Sequence, residues 1–199
     1  MRQLMMFNRV SADGYFATDD GQLDWVVPDD ALDQAGASRM HEVDTMLFGR
    51  RTYDAFESFW PTAVKASPTA EDPHTVGRRS AALRAMGEWI NATQKLVFSR
   101  TRTAVSWQNS QLFPELDARQ IQALKAGPGK GMIVFGSGSL VSQLTEHGLI
   151  DEYQFVVGPL FLGGGKSLIS GLSQRVQLEL IEAKPYPSGN LVLRYARRR

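Results

Sequence analysis

Twice in this chain an apolar, strand-like run ends in glycine and passes straight into a helix that opens with hydroxyl or basic residues. The first is Asp44-Thr-Met-Leu-Phe-Gly49-Arg50-Arg51-Thr52-Tyr53 and the second is Gly131-Met-Ile-Val-Phe-Gly136-Ser137-Gly138-Ser139-Leu140. A strand that delivers a glycine to a helix N-terminus leaves unpaired backbone N–H groups and the positive end of the helix dipole at the sheet edge, where an anion can sit. Two such ends within 199 residues point to a ligand with more than one phosphate.

The rest of the pattern builds the frame around them. Leu4 to Val10 reads as a buried first strand, followed by a loop punctuated by Asp13-Gly14 and Asp20-Gly21 and closed by Leu23-Asp24-Trp25. Pro28-Asp29-Asp30 resembles a helix start, because proline and acidic residues favour the first turn. A strand at Thr45–Phe48 leads into a helix from about Arg50 to Phe59, with Tyr53, Phe56 and Trp60 at helical spacing. Pro61, Pro68 and Pro73 make Pro61–Gly77 an expected irregular excursion.

Beyond it the sequence predicts a helix over Arg79–Ile90, strands at Lys95–Ser99 and near Ala104–Trp107, and a helix over Glu115–Ala126. After the second glycine end, Gly148 is placed to terminate a helix in the left-handed conformation, and Asp151–Val157 alternates as a strand. Val176–Ala183 and Leu191–Ala196 read as an antiparallel hairpin. Strands alternating with helices first and a hairpin last imply an α/β domain with a mostly parallel sheet, helices on both faces and an antiparallel edge.

Composition removes several function classes. With 43% apolar and 22% charged residues, 1–199 fits one globular domain with a full core. The formal net charge of +1 gives no electrostatic footprint for nucleic acid or an anionic membrane. Arg197, Arg198 and Arg199 read as a solvated basic tip. Cysteine is absent, which removes disulfides, thiolate metal sites and cysteine nucleophiles, and fits a reducing cytoplasm. Asn8 and Arg9 interrupt the apolar start before a signal-peptide core could form, and no run approaches the roughly 18 apolar residues of a membrane helix. The expectation is a soluble, cytoplasmic protein.

Several familiar motifs fail. Gly165-Lys166-Ser167 ends like a phosphate-binding P-loop, but Leu160 stands where that motif needs glycine. Gly136-x-Gly138 continues to Val141 where a dinucleotide fingerprint wants its third glycine. Ser137 and Ser139 are not set in a nucleophile elbow and read instead as caps and phosphate donors. His41, His74 and His147 are scattered over different elements, so no metal site is expected.

The order of the remaining motifs carries a resemblance over almost the entire chain. Ser11-x-Asp13-Gly14-Tyr15, Asp24-Trp25, Leu47-Phe48-Gly49-Arg50-x-Thr52-Tyr53, Lys95-x-Val97-Phe98-Ser99-Arg100-Thr101, Phe135-Gly136-Ser137-Gly138-Ser139-Leu140 and Leu149-Ile150-Asp151-Glu152-Tyr153 resemble the dihydrofolate reductase-like superfamily. Within it they look most like the branch containing the reductase domain of bacterial riboflavin biosynthesis. The resemblance implies a three-layer α/β/α domain that binds NADPH and delivers hydride to a small pyrimidine or pterin-like substrate. It also implies a homodimer; the apolar C-terminal strands and the Ile150–Leu162 strand offer either an interface for it or surface buried within one subunit.

By this resemblance Gly49, Arg50, Arg51 and Thr52, together with Gly136, Ser137, Gly138, Ser139 and Leu140, face the cofactor phosphates. Ser99, Arg100, Thr101 and Arg102 offer hydroxyls and guanidinium groups suited to the 2′-phosphate. Asp13 is the candidate catalytic contact to a substrate hydroxyl or amine, or simply a turn-forming Asp-Gly, and Trp25 lies beside the substrate. Asp30 stands where folate-reducing relatives place their carboxylate and is a candidate proton donor, or else a helix cap.

Three functions stay open. One is a reductase of the 5-amino-6-(5-phosphoribosylamino)uracil type, which turns a ribosylamino group into its ribityl form. Another is a dihydrofolate or other imine reductase. The third is a nonenzymatic NADPH-binding module.

Overall fold

The computed structural model describes residues 1–63 and 81–198. In chain order these form β1 (Leu4–Val10), β2 (Tyr15–Ala17), α1 (Asp30–Arg39), β3 (Val43–Gly49), α2 (Arg50–Ala63), α3 (Ala81–Ala92), β4 (Gln94–Phe98), β5 (Ser110–Phe113), α4 (Ala118–Ala126), β6 (Gly131–Phe135), α5 (Gly138–Glu146), β7 (Glu152–Val157), β8 (Lys166–Ser167), β9 (Leu178–Pro185) and β10 (Leu191–Arg197). Eight strands make the main sheet in the order β5-β4-β3-β6-β1-β7-β10-β9. Only β10 is reversed, pairing antiparallel with both β7 and β9.

The period-2 alternation of side chains splits the core between the two faces. Leu4, Met6 and Val10 of β1 pack with Met132 and Val134 of β6 against Ile121 of α4 and Leu140, Val141 and Leu144 of α5. On the opposite face Met46, Phe48, Val97 and Ile133 pack against Tyr53 and Trp60 of α2 and Ile90 of α3. Beside them α1 seats Leu32 on Val156 and Val192. Helices cover both faces of a mixed, mostly parallel sheet, as the sequence predicts.

The end of α2 and the position of the strand after β4 differ from the sequence reading. Helix α2 continues through Pro61 to Ala63, the last residue described before residue 81. Pro68, Pro73 and the rest of the excursion from residue 64 onward lie outside the described residues. The strand expected near Ala104–Trp107 forms instead at Ser110–Phe113, parallel to β4, while Trp107 is buried against Tyr53. Arg197 and Arg198 are exposed, as expected, but Arg197 is part of the fold, since it closes β10 and its guanidinium donates to the Gly148 carbonyl at 2.9 Å. Gly148 itself terminates α5 with φ +65°, as expected.

Among the described residues no helix is long and apolar enough to cross a membrane.

Candidate active site

Because β4, β3 and β6 are neighbours, their carboxyl ends bring Ser99, Gly49 and Gly136 to one edge of the sheet, the place where open α/β sheets bind ligands. Gly136 (φ +52°) and Ser137 (φ +61°) both take the left-handed conformation, which turns the chain from β6 into α5. Ser137 does not cap its own helix, contrary to the sequence expectation. Its hydroxyl instead accepts the Gly49 N–H at 2.8 Å and donates to Thr52 Oγ1 at 2.9 Å. A Cβ at position 49 would sit 3.1 Å from Ser137 Oγ, and one at 136 only 2.8 Å from Thr52 Oγ1. A side chain at 136 would therefore meet both Thr52 and a left-handed backbone, while one at 49 would press on Ser137.

This junction settles which amides can face a ligand. The Leu140 and Val141 amides both donate to the Ser137 carbonyl, at 2.8 and 2.9 Å, and the Leu140 side chain is core. Gly138 and Ser139 on α5, and Arg51 and Thr52 on α2, occupy first-turn positions whose N–H groups have no intrahelical acceptor.

The nearby arginines divide in the same way. Arg102, counted with Arg100 as a phosphate ligand from sequence, is held by Asp54 and, at 2.7 Å, by Glu57, with its guanidinium 4.7 Å from the centre of the Tyr53 ring. Burial works against its charge, but the two carboxylates outweigh that and raise its pKa. Ser99 shapes the loop, its hydroxyl accepting from the Thr101 and Arg102 amides at 3.2 and 2.9 Å. Arg50 pairs with Asp54 at 3.2 Å. Arg51, Arg100 and Thr101 are exposed and line the cleft. Among the described residues neither Arg51 nor Arg100 has an ion-pair partner.

The cleft, about 1860 Å³, runs from this edge over the sheet face that carries α1, α2 and α3. Its apolar wall centres on Phe135, whose ring lies 5.8 Å from Phe7, 5.4 Å from Phe56 and 6.5 Å from Trp89. At the mouth of α1 the two neighbouring aspartates separate. Asp29 is the cap, accepting the Leu32 amide at 2.9 Å and the Ser188 amide at 3.2 Å. Burial opposes its ionisation, yet these donors hold its carboxyl below the ordinary value. Asp30 is released from capping, exposed, and lines the cleft.

Asp13 and Trp25 are placed elsewhere. The Asp13 carboxylate accepts the Ser11 hydroxyl at 2.6 Å and the Leu162 and Gly163 amides at 3.1 and 2.8 Å. The Ser11 bond above all, then the two amides, lowers its pKa. It ties the loop after β1 to the glycine-rich loop after β7. Trp25 packs on Gly158, where a Cβ would meet its ring at 3.4 Å. Neither lines the cleft; the loop contributes Gln22, Leu23 and Asp24 instead. Gly165-Lys166-Ser167, the failed P-loop, provides β8, which pairs with β2 and brings Lys166 to the cleft. Sequence reading missed Lys166, the Phe135 cluster and Arg9, which also lines the cleft. For Arg9 a signal existed: a charged residue inside an otherwise apolar central strand.

Residues 2–192 match the RibD C-terminal domain family. The Bacillus subtilis protein YyaP is 27% identical over 195 residues, covering 98% of this chain and 94% of its own length. Among solved structures, a Shewanella sp. PV-4 protein described as one of riboflavin biosynthesis superposes with a TM-score of 0.74 at 24% identity, covering 99% of both chains. Dihydrofolate reductase from Enterococcus faecalis, solved with NADP(H), superposes with a TM-score of 0.62 at 11% identity over 99% of this chain and 97% of its own. The fold is dihydrofolate reductase-like.

Proposed function

The chain belongs to the RibD C-terminal domain family, and on that premise we propose that it is an NADPH-dependent reductase of a small heterocycle, of the 5-amino-6-(5-phosphoribosylamino)uracil reductase type. The observation that carries the reading is the junction of two helix N-termini through Ser137, Gly49 and Thr52, with Arg51 and Arg100 beside it, opening into an aromatic-walled cleft.

The residues present fit a dinucleotide with an added phosphate. The close approach of Gly49 and Gly136 to Ser137 and Thr52 leaves the Gly138, Ser139, Arg51 and Thr52 amides to hold a pyrophosphate. Arg100 and Thr101 supply the cation and hydroxyl for a 2′-phosphate. When bound, NADPH supplies hydride. The wall of Phe7, Phe56 and Phe135 excludes water and offers flat faces to a heterocycle. Asp30, on the rim at the start of α1, holds the proton for the substrate nitrogen that receives it.

The placement of Asp30 favours a second reading as well, reduction of a pterin or another conjugated imine, since Asp13, the residue tied to the ribosylamino substrate, is engaged by Leu162 and Gly163. The two are separated by following loss of reduced-nicotinamide absorbance with 5-amino-6-(5-phosphoribosylamino)uracil and with dihydrofolate. Oxidation with the uracil supports the first reading, and oxidation with dihydrofolate alone replaces it with the second. Tight NADPH binding without oxidation by either, or by other conjugated imines, leaves a nonenzymatic binding module.

A further inference from the structure

We infer that the Asn8 side chain reads the carboxamide of the nicotinamide, its Oδ1 accepting the amide N–H2 and so fixing how the ring lies in the cleft. The inference rests on the reductase reading and assigns a residue to the hydride end of its cofactor.

Asn8 lies on β1, the strand between β6 and β7. Its neighbours on the same strand face, Met6 and Val10, belong to the core under α4 and α5, and Asn8 itself is only 5% exposed. A carboxamide offers two N–H donors and a carbonyl acceptor. Here Nδ2 donates to the Met6 sulfur at 3.3 Å, a weak acceptor, and no other hydrogen bond reaches the side chain among the described residues. The Oδ1 therefore has no donor. Unlike Arg9 Nη1 and Trp25 Nε1, which also lack a partner, this oxygen is not sealed from the surface, and Asn8 lines the cleft.

Polar side chains this deep in a sheet are normally satisfied. An open carbonyl oxygen in an apolar setting is unfavourable until something in the cleft donates to it. Position says which donor. Phe7 pairs with Phe135, so the next residue, Asn8, stands level with Gly136, where the chain turns toward α5. Side chains alternate along a strand: Phe7 faces the aromatic wall, whereas Asn8 faces the α5 side, where Gly138 and Ser139 present the amides assigned to the pyrophosphate. The group that reaches Asn8 thus belongs to the cofactor and not to the substrate beside Asp30. On this face Phe16 and Leu140 line the cleft and are apolar, which suits an amide carried on a flat ring better than the hydroxyls of a ribose. A carboxamide held at Asn8 restricts rotation of the ring, and with it the ring face turned toward the substrate.

Two other roles for Asn8 are to stiffen β1 through Met6 and to take a ribose hydroxyl, and the test separates all three. Calorimetry compares NADPH with reduced 3-acetylpyridine adenine dinucleotide phosphate, in which a methyl group replaces the amide nitrogen and the ribose is kept. The wild type binds the acetyl analogue about tenfold more weakly, the factor expected for one buried hydrogen bond. Asn8→Leu and Asn8→Ala each weaken NADPH by the same factor and leave the acetyl analogue unchanged, so the difference between the two cofactors disappears. Adenosine 2′,5′-bisphosphate, which lacks the nicotinamide half, binds the wild type and both variants equally. Equal affinity of the wild type for NADPH and the acetyl analogue, which needs no variant to fold, overturns the inference and leaves the reductase reading standing. A difference that survives in the variants assigns the amide to another group and overturns it too. Loss of adenosine 2′,5′-bisphosphate binding in both variants marks the stiffening role and does the same. Failure of the wild type to bind NADPH rejects the reductase reading itself.

Discussion

The Ser137 hydroxyl accepts the Gly49 N–H at 2.8 Å across 88 positions of sequence, and in doing so joins the N-termini of α2 and α5 into one surface. Replacing it with alanine removes both this bond and the one to Thr52, and leaves the partly buried Gly49 amide without an acceptor. The expected cost is about 1–2 kcal/mol in denaturant unfolding, with weaker NADPH binding in the folded fraction. Unchanged NADPH affinity in Ser137→Ala would mean that the junction does not shape the phosphate site.

Gly136 combines φ +52° with a Thr52 oxygen 2.8 Å from the position of its missing Cβ. Alanine there must push Thr52 away from Ser137 and also hold a left-handed backbone, at about 1 kcal/mol for the conformation alone. Gly136→Ala is therefore expected to lose NADPH affinity while far-ultraviolet circular dichroism stays native. Gly163, whose φ is +71° but whose Cβ would meet nothing within 4 Å, provides the control. Its alanine variant should keep NADPH binding.

Asp13 acts on the loops rather than in the cleft. Asp13→Asn keeps the shape but weakens acceptance from Ser11, Leu162 and Gly163, so hydrogen exchange at the Leu162 and Gly163 amides should accelerate. The Asp13 pKa is depressed in the folded protein. The stabilisation it gives is present above its ordinary carboxylate range and disappears as pH falls through the lower, folded value. The protection of those two amides, taken relative to intrinsic exchange at each pH, should accordingly fall in the wild type on acidification and be less pH-sensitive in the variant. Identical exchange in both proteins would remove the tie.

Lys95 is wholly buried, donates to the Asn91, Thr93 and Gln108 carbonyls, and lies 4.3 Å from the centre of the Trp107 ring. Burial lowers its pKa from 10.5 to about 8. Between those values the unfolded chain holds more protons than the folded one, so stability contributed by this site rises with pH. Relative to Lys95→Met, the wild type should gain up to about 3 kcal/mol from pH 8 to 10.5. A difference that stays flat across that range would show that the three carbonyls and Trp107 fully offset the burial.

The sheet and the edge where Gly49 and Gly136 meet were legible because they rest on local signals. Apolar runs ending at Gly49 and Gly136 gave strand, turn and helix start together, and Gly148 marked the end of α5. The pairing of Gly49 with Ser137 was not legible, because a hydroxyl 88 residues away competes for that amide only after β3 and β6 become neighbours. The same limit explains Arg102, which has the right composition for a phosphate ligand but is claimed by Asp54 and Glu57 from α2. For Asp29-Asp30 the sequence offered two roles and two carboxylates; the fold assigns the cap to Asp29 and leaves Asp30 on the cleft. Asp13-Gly14 signalled a turn, and what Asp13 binds depends on a loop that arrives some 150 residues later.

The central claim is that the joined helix ends and Arg100 form an NADPH site. Calorimetric titration of the purified protein with NADPH and, separately, with NADH tests it directly. The account predicts submicromolar NADPH binding and NADH binding weaker by orders of magnitude, because only NADPH carries the phosphate that Arg100 and Thr101 would hold. Equal affinity for the two would contradict the role of Arg100 and Thr101, and binding of neither would contradict the reductase reading as a whole.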